Sequence, residues 1–192
     1  MKNIPTLRGV KMETYENQLD SKTVFDGRII HVTVDTIELP NGKQSTREVV
    51  GHPGGVTVLP ITDDNEVVLV SQYRYPYKEV ILETPAGKLN PDEDIFLAAQ
   101  RELREETGAV AKKYIDLGIL YPSPGYCGEK IHLYAATGLE FFDQDLDDDE
   151  FLNVVKIPFD EVVDRILSGE IKDSKTQAVV LKFNEMRRRG EV

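Results

Sequence analysis

A single cysteine, Cys127, among 192 residues leaves no internal disulfide framework to build on. No apolar run approaches the roughly 18 residues that a membrane-spanning helix needs, and no membrane association is expected. The N-terminus, MKNIPTLRGVKMETYENQ, has no apolar core of the kind a secretory signal carries. The simplest expectation is a cytoplasmic address. Basic residues are the minority, 23 against 34 acidic ones, for a formal charge of −11. A nucleic-acid backbone wants a basic face, so no nucleic-acid partner is expected. Such a chain suits a small anionic substrate only if cations mediate at the site. What is present is ordinary for a globular protein: 40% hydrophobic and 30% charged residues. The length fits one domain or one domain with a small extension.

Residues 1–20 are polar and weakly patterned, a segment expected to fray or reach toward a partner. The run VFDGRIIHVTVDTIEL, the turn Pro40-Asn41-Gly42-Lys43 and the return STREVV predict a β-hairpin over 23–50, because Asn-Gly between β-rich runs is a strong hairpin signal. Residues 55–62 and 66–73 predict a second strand pair around Asp63-Asp64-Asn65, and ILET at 81–84 a short strand. A helix is expected over about 92–107, opened by Pro91 and Asp92 and closed by Gly108. Strands are expected at 114–121, 130–137 and 151–157, and helices near 159–168 and 174–189. The acidic run Asp143–Glu150 reads as a solvated loop. The pattern is an α/β or α+β fold with a mixed sheet. An N-terminal β-rich extension over 1–50 is expected to precede a main domain over 51–192.

The stretch GKLNPDEDIFLAAQRELREETGA, residues 87–109, carries the chemistry. At about 100° per residue, Glu102, Glu105 and Glu106 fall within an arc of about 100°. Phe96, Ala99 and Leu103 form an apolar stripe beside that arc, so the acids sit at the edge of the buried face. Like charges at these spacings cost a few tenths of a kcal/mol each on an exposed helix, and more at the edge of a core. A divalent cation turns that repulsion into coordination; Mg²⁺ takes carboxylate oxygens and commonly bridges to substrate phosphates. Glu93 is placed in the first helical turn, where the helix N-terminus favours a negative charge. Arg101, four residues before Glu105, either orients that carboxylate through an ion pair or contacts substrate. His31, His52 and His132 lack metal-ligand spacing, and Cys127 reads as a small filler.

Gly87, Glu93, Arg101, Glu102, Leu103, Glu105, Glu106, Gly108 and Ala109 match the signature of the Nudix hydrolases position for position. Ala109 is smaller than the usual aliphatic residue there. The resemblance implies an α/β/α sandwich that carries the motif as loop–helix–loop. It implies a nucleoside diphosphate linked to another group as substrate. It also implies Glu102, Glu105 and Glu106 as metal ligands, joined by the backbone carbonyl of Ala86.

Outside the motif the chain resembles the ADP-ribose pyrophosphatase group. Three features carry this: Glu83-Thr84-Pro85-Ala86-Gly87, Pro124 placed 16 residues beyond Gly108, and the loop Ser123–Gly128 followed by Glu129. In the resembling enzymes the glutamate at the position of Glu129 helps activate water or completes metal coordination; the bland reading is an exposed loop residue. Arg74 forks onto the diphosphate or forms an ordinary ion pair. Glu83 accepts a hydrogen bond from the ligand or orients Arg74. Arg47 is expected to reach the adenine across a homodimer whose N-terminal regions exchange. The implied reaction is Mg²⁺-dependent hydrolysis of ADP-ribose to AMP and ribose 5-phosphate, with Mn²⁺ a substitute ion. Glu129 is the candidate general base and Glu105 the second. The alternatives are hydrolysis of a GDP- or UDP-hexose, and a sensor that binds ADP-ribose without cutting it.

Overall fold

The computed structural model describes residues 14–146 and 150–192. The chain divides between Gly51 and His52 into two compact units. The N-terminal unit is a meander of β1 (Asn17–Asp26), β2 (His31–Glu38) and β3 (Gln44–Gly51). The Asn-Gly turn behaves as its composition predicts: Gly42 donates to the Leu39 carbonyl and Leu39 to the Lys43 carbonyl, both at 2.8 Å. β2 and β3 are the expected hairpin, with Glu38 opposite Gln44. The run VFDGRIIHVTVDTIEL is two strands rather than one. Gly27 donates to the Ile30 carbonyl at 3.0 Å and turns the chain between them. Of the segment 1–20, residues 1–13 lie outside the described residues, and 17–20 belong to β1.

The second unit holds β4 (Gly55–Pro60), β5 (Glu66–Arg74), β6 (Glu79–Glu83), β7 (Ala86–Lys88), α1 (Ile95–Thr107), β8 (Ala109–Leu120), β9 (Ile131–Phe141), β10 (Leu152–Pro158), α2 (Phe159–Leu167) and α3 (Ser174–Arg188). Its strands form a mixed sheet ordered β7-β4-β9-β8 and an antiparallel sheet ordered β10-β5-β6. The expected pairing of β4 with β5 is reduced to one bridge, Ile61 opposite Val67. The reason lies in β4 itself. All six of its residues are buried, the signature of a central strand. Both its edges are taken, by β9 in parallel and β7 in antiparallel, so β5 turns away into the second sheet.

Alternation along β4 sorts the core. Val56 and Val58 pack with Ala98, Ala99 and Leu103 of α1. Leu59 belongs to the other cluster, with Val162 and Ile166 of α2 and Val179, Val180 and Phe183 of α3. One helix on one face and two on the other give the α/β/α sandwich. Every buried side-chain polar atom among the described residues has a hydrogen-bond partner. No described helix is long and apolar enough to cross a membrane.

α1 begins later than its sequence signals imply. Asp92 has φ +58°, outside helical geometry. Asp94 caps the helix, accepting from the N–H groups of Phe96 and Leu97 at 2.9 and 3.0 Å. Glu93 therefore precedes the helix and is not in its first turn. Gly108 closes it at φ 71°, its N–H donating to the Arg104 carbonyl at 2.9 Å. Phe96 is 41% exposed, so it rims the core that Ala99 and Leu103 enter; its ring stacks edge-on to Tyr114 at 5.1 Å.

Candidate active site

Two of the three carboxylates of α1 lie deeper than the edge of a core. Glu102 and Glu106 are buried, at 7% and 3% exposure, while the side chain of Glu105 keeps 33%. Glu106 accepts from the Ala86 N–H at 2.9 Å, tying the helix to β7. Glu102 lies against Gly87 so closely that a Cβ there would stand 1.9 Å from its carboxylate oxygen. Glycine at 87 thus leaves the room in which that carboxylate sits.

Arg101 gathers the acids. Its Nε and one terminal nitrogen donate to Glu93 at 2.7 and 2.9 Å. The other terminal nitrogen donates to Glu102 at 2.7 Å and to Glu105 at 2.9 Å. Every guanidinium nitrogen is engaged by a protein carboxylate. The Arg101 hydrogen bonds hold the Glu93 carboxyl down to about 2. Burial pushes Glu102 up to about 7, although Arg101 opposes it. Burial pushes Glu106 up to about 8 against the Ala86 N–H, and the charge of Glu102 adds to the rise.

The stability consequence has a definite sign. From an ordinary value of 4.5, both raised carboxyls hold protons in the folded chain that the unfolded chain has released. Stability is therefore highest below about 4.5 on their account, and falls as pH rises toward about 8. Glu93 acts oppositely: its contribution is present above 4.5 and is lost as pH falls toward about 2. In a chelating buffer, thermal melts are expected to show Tm falling by roughly 5 °C or more between about pH 5.5 and 8.5. Millimolar Mg²⁺ is expected to restore most of that loss at the upper end. A Tm that is flat with pH, and indifferent to Mg²⁺, would contradict this electrostatic picture.

Arg74, the last residue of β5, forks onto Glu83 at the end of β6, at 2.6 and 2.7 Å. Glu83 is 1% exposed. Its hydrogen bond and charge raise the Arg74 pKa, with a further contribution from the charge of Glu106. Arg74, Glu83 and Glu106 thus share one electrostatic neighbourhood. Glu129 stands two residues before β9. Among the described residues no hydrogen bond joins it to the α1 acids; its carboxylate faces His52, with Nδ1 at 3.6 Å. Arg47 lies in the N-terminal unit, on β3, where its Nε donates to Glu16 at 3.0 Å.

Three further residues, Lys175, Glu150 and His52, receive no role in the site from the sequence. Lys175, 8% exposed, is ion-paired to Glu83 and stands 3.1 Å from Asp173. Asp173 also caps α3, and Thr176 links that cap to the Thr84 N–H at 2.8 Å. Glu150 ends the acidic run read as a solvated loop. It is half-buried, and its charge helps raise both Glu102 and Glu106. Residues 147–149 of that run lie outside the described residues. His52 is the third.

The donor set suits a hard divalent cation: carboxylate oxygens, two of them buried and reluctant to ionise alone. No three His, Cys, Asp or Glu groups among the described residues converge closely enough to enclose an ion. Glu102 and Glu105 are drawn onto Arg101, and Glu106 onto the Ala86 N–H. A cavity of about 480 Å³ lined by Leu117, Lys182, Met186 and Arg189 includes none of these groups.

A solved structure described as an ADP compounds hydrolase superposes on this fold with a TM-score of 0.82 at 24% identity, over 96% of this chain and 100% of that one. An ADP-ribose pyrophosphatase of Bacillus subtilis (strain 168) is 40% identical over 163 residues, 84% of this chain and 88% of its own. A methanol dehydrogenase activator of Bacillus methanolicus is 43% identical over 167 residues, 86% of this chain and 90% of its own. Residues 16–50 match the nucleoside diphosphate sugar hydrolase N-terminal domain. Residues 51–178 match the NUDIX domain, and the chain belongs to the Nudix hydrolases. Hydrolases of this family generally use a divalent metal ion.

Proposed function

We propose that this enzyme hydrolyses the pyrophosphate bond of ADP-ribose, giving AMP and ribose 5-phosphate, with Mg²⁺ as the working ion and Mn²⁺ a substitute. The observation that carries the reading is the pair of buried carboxylates, Glu102 against Gly87 and Glu106 on the Ala86 N–H, with Glu106 within electrostatic reach of Arg74. Similarity to an ADP-ribose pyrophosphatase over most of both chains supports the choice of substrate.

Glu102, Glu105, Glu106 and the Ala86 carbonyl are the proposed ligands. A divalent cation bound there supplies neutralisation of diphosphate charge and activation of water. The chain's own groups do the rest. Arg74 faces the diphosphate and steadies charge as the bridging P–O bond breaks. Glu83, holding two of its nitrogens, fixes the direction of the fork. Glu129 takes a proton from the water that attacks phosphorus in line, with Glu105 the second candidate. Gly87 and Gly108 give the motif loop its close approach and its stop. Arg101 and Glu93 hold the carboxylates in place.

Residues 1–50 are proposed as a dimerisation region that exchanges across a two-fold axis, with Arg47 reaching the partner's adenine pocket. A monomer by light scattering at working concentration would remove that part.

A substrate panel tests the proposal. Chromatography after incubation with Mg²⁺ is expected to show AMP and ribose 5-phosphate from ADP-ribose, at a kcat/KM at least about tenfold above that for GDP- or UDP-hexoses. Preference for a hexose compound would replace the substrate while keeping the chemistry. Tight binding of ADP-ribose without turnover would identify a sensor.

A further inference from the structure

His52 opens the turn His52-Pro53-Gly54-Gly55 that leads into β4, and this turn grips the end of the loop that carries Glu129. The Gly55 N–H donates to the Lys130 carbonyl at 2.9 Å. Gly54, at φ +90°, brings the backbone so near that a Cβ would stand 3.0 Å from that same oxygen. On its other side the Gly54 carbonyl accepts from the Leu89 N–H at 3.2 Å. One turn therefore touches both the segment following Gly87 and the residue following Glu129.

The imidazole of His52 sits in this junction with only 13% of its side chain exposed. Its Nδ1 accepts from the Gly54 N–H at 3.1 Å, which anchors the ring to the turn. The same nitrogen stands 3.6 Å from Oε1 of Glu129, whose side chain is 27% exposed. That separation is too long for a direct hydrogen bond, and the Nδ1 lone pair is already committed to the Gly54 N–H, so the ring meets the carboxylate by packing contact and not by a donated proton. A glutamate on a loop has three side-chain torsions to restrict, and fixing them opposes a single orientation. The anchored ring supplies a fixed wall beside that carboxylate and limits the rotamers open to it.

We propose that His52 is a positioning residue for Glu129, holding the carboxylate at the head of β9 in the orientation from which it takes the proton of the attacking water. The inference rests on the assignment of Glu129 as general base. The ring acts through Glu129 and not on the substrate.

A double-mutant cycle on the full-length enzyme with Mg²⁺ and ADP-ribose tests it, using His52→Ala, Glu129→Gln and the double variant. Glu129→Gln is expected to lower kcat about 100-fold. His52→Ala is expected to lower kcat about tenfold, as misorientation of a catalytic group does, with KM changed less than about twofold. In the Glu129→Gln background, removal of His52 is expected to have no further effect. His52→Asn keeps an acceptor for the Gly54 N–H and guards against a failure of the turn; it is expected to keep the parental Tm and still lose kcat. Multiplied losses in the double variant, an unchanged kcat in His52→Ala, a matching rise in KM, or full activity in His52→Asn would each overturn the role of His52 while leaving Glu129 in place. Parental turnover in Glu129→Gln would instead overturn the base assignment, and the inference with it.

Discussion

Replacing Glu106 with Gln is expected to lower kcat by about 100-fold or more, the consequence of losing several kcal/mol of charge stabilisation at the reacting phosphates. The fold is expected to survive. A glutamine carbonyl replaces the carboxylate oxygen that accepts from the Ala86 N–H, and the residue is isosteric. Stability is expected to rise rather than fall. Glu106 is 3% exposed, and burial pushes its carboxyl up to about 8, so the charge it carries above that pH is held at a cost. Glu106→Gln should therefore melt above the parent at about pH 8.5 in a chelating buffer while losing its response to Mg²⁺. A more stable, inactive variant is the signature of a residue kept for function against the preference of the fold. Steady-state kinetics beside paired melts read both quantities. A variant with lower Tm and parental kcat would place Glu106 among the structural residues.

The second large effect belongs to Glu83. It is 1% exposed and accepts from both Arg74 and Lys175. Glu83→Ala leaves Lys175, itself 8% exposed, with Asp173 as its remaining ion-pair partner. Breaking a buried pair by removing one partner costs about 3–5 kcal/mol. For a chain of this size that is a fall in Tm of roughly 10 °C. Arg74, freed from its fork, is expected to lose its direction, so KM for the diphosphate substrate should rise with the loss of stability. Glu83→Gln/Lys175→Met, which removes both charges, is expected to recover part of the stability and none of the KM. Urea denaturation of the two variants measures the first, and initial rates measure the second. Equal stability of Glu83→Ala and the parent would show that the network is not a supporting element.

The helix that bears the acids was legible because its signals are local. A 3.6-residue period, a left-handed glycine stop at Gly108 and acids at i, i+3 and i+4 need no tertiary information. The start of α1 was misplaced because Asp92 and Asp94 are both plausible caps by type, and only φ +58° at Asp92 decides between them. The expected pairing of β4 with β5 failed for a reason of its own. A strand's neighbours are chosen by which edges are free, and β4 reads the same whether β5 or β9 lies beside it. Arg74 and Glu83 were legible as a pair of alternatives. The structure shows their bidentate contact, which sequence spacing of nine residues across a β-hairpin does not dictate. Lys175 and Glu83 lie 92 positions apart, and a lysine early in a helix is ordinarily a solvated one. Glu150 was concealed by its acidic neighbours, since a charge run carries no mark of the one member that turns inward. His52 was set aside for lack of metal-ligand spacing, a test blind to a ring that meets a carboxylate from a distant loop.

A crystal of the enzyme soaked with Mg²⁺ and a non-hydrolysable ADP-ribose analogue tests the central claim most directly. The expected result is at least one cation about 2.1 Å from a carboxylate oxygen of Glu106, shared with Glu102 or Glu105 and with a diphosphate oxygen, and Arg74 turned toward that diphosphate. A diphosphate bound elsewhere, with the carboxylates of α1 still gathered on Arg101 and no cation beside them, would contradict it.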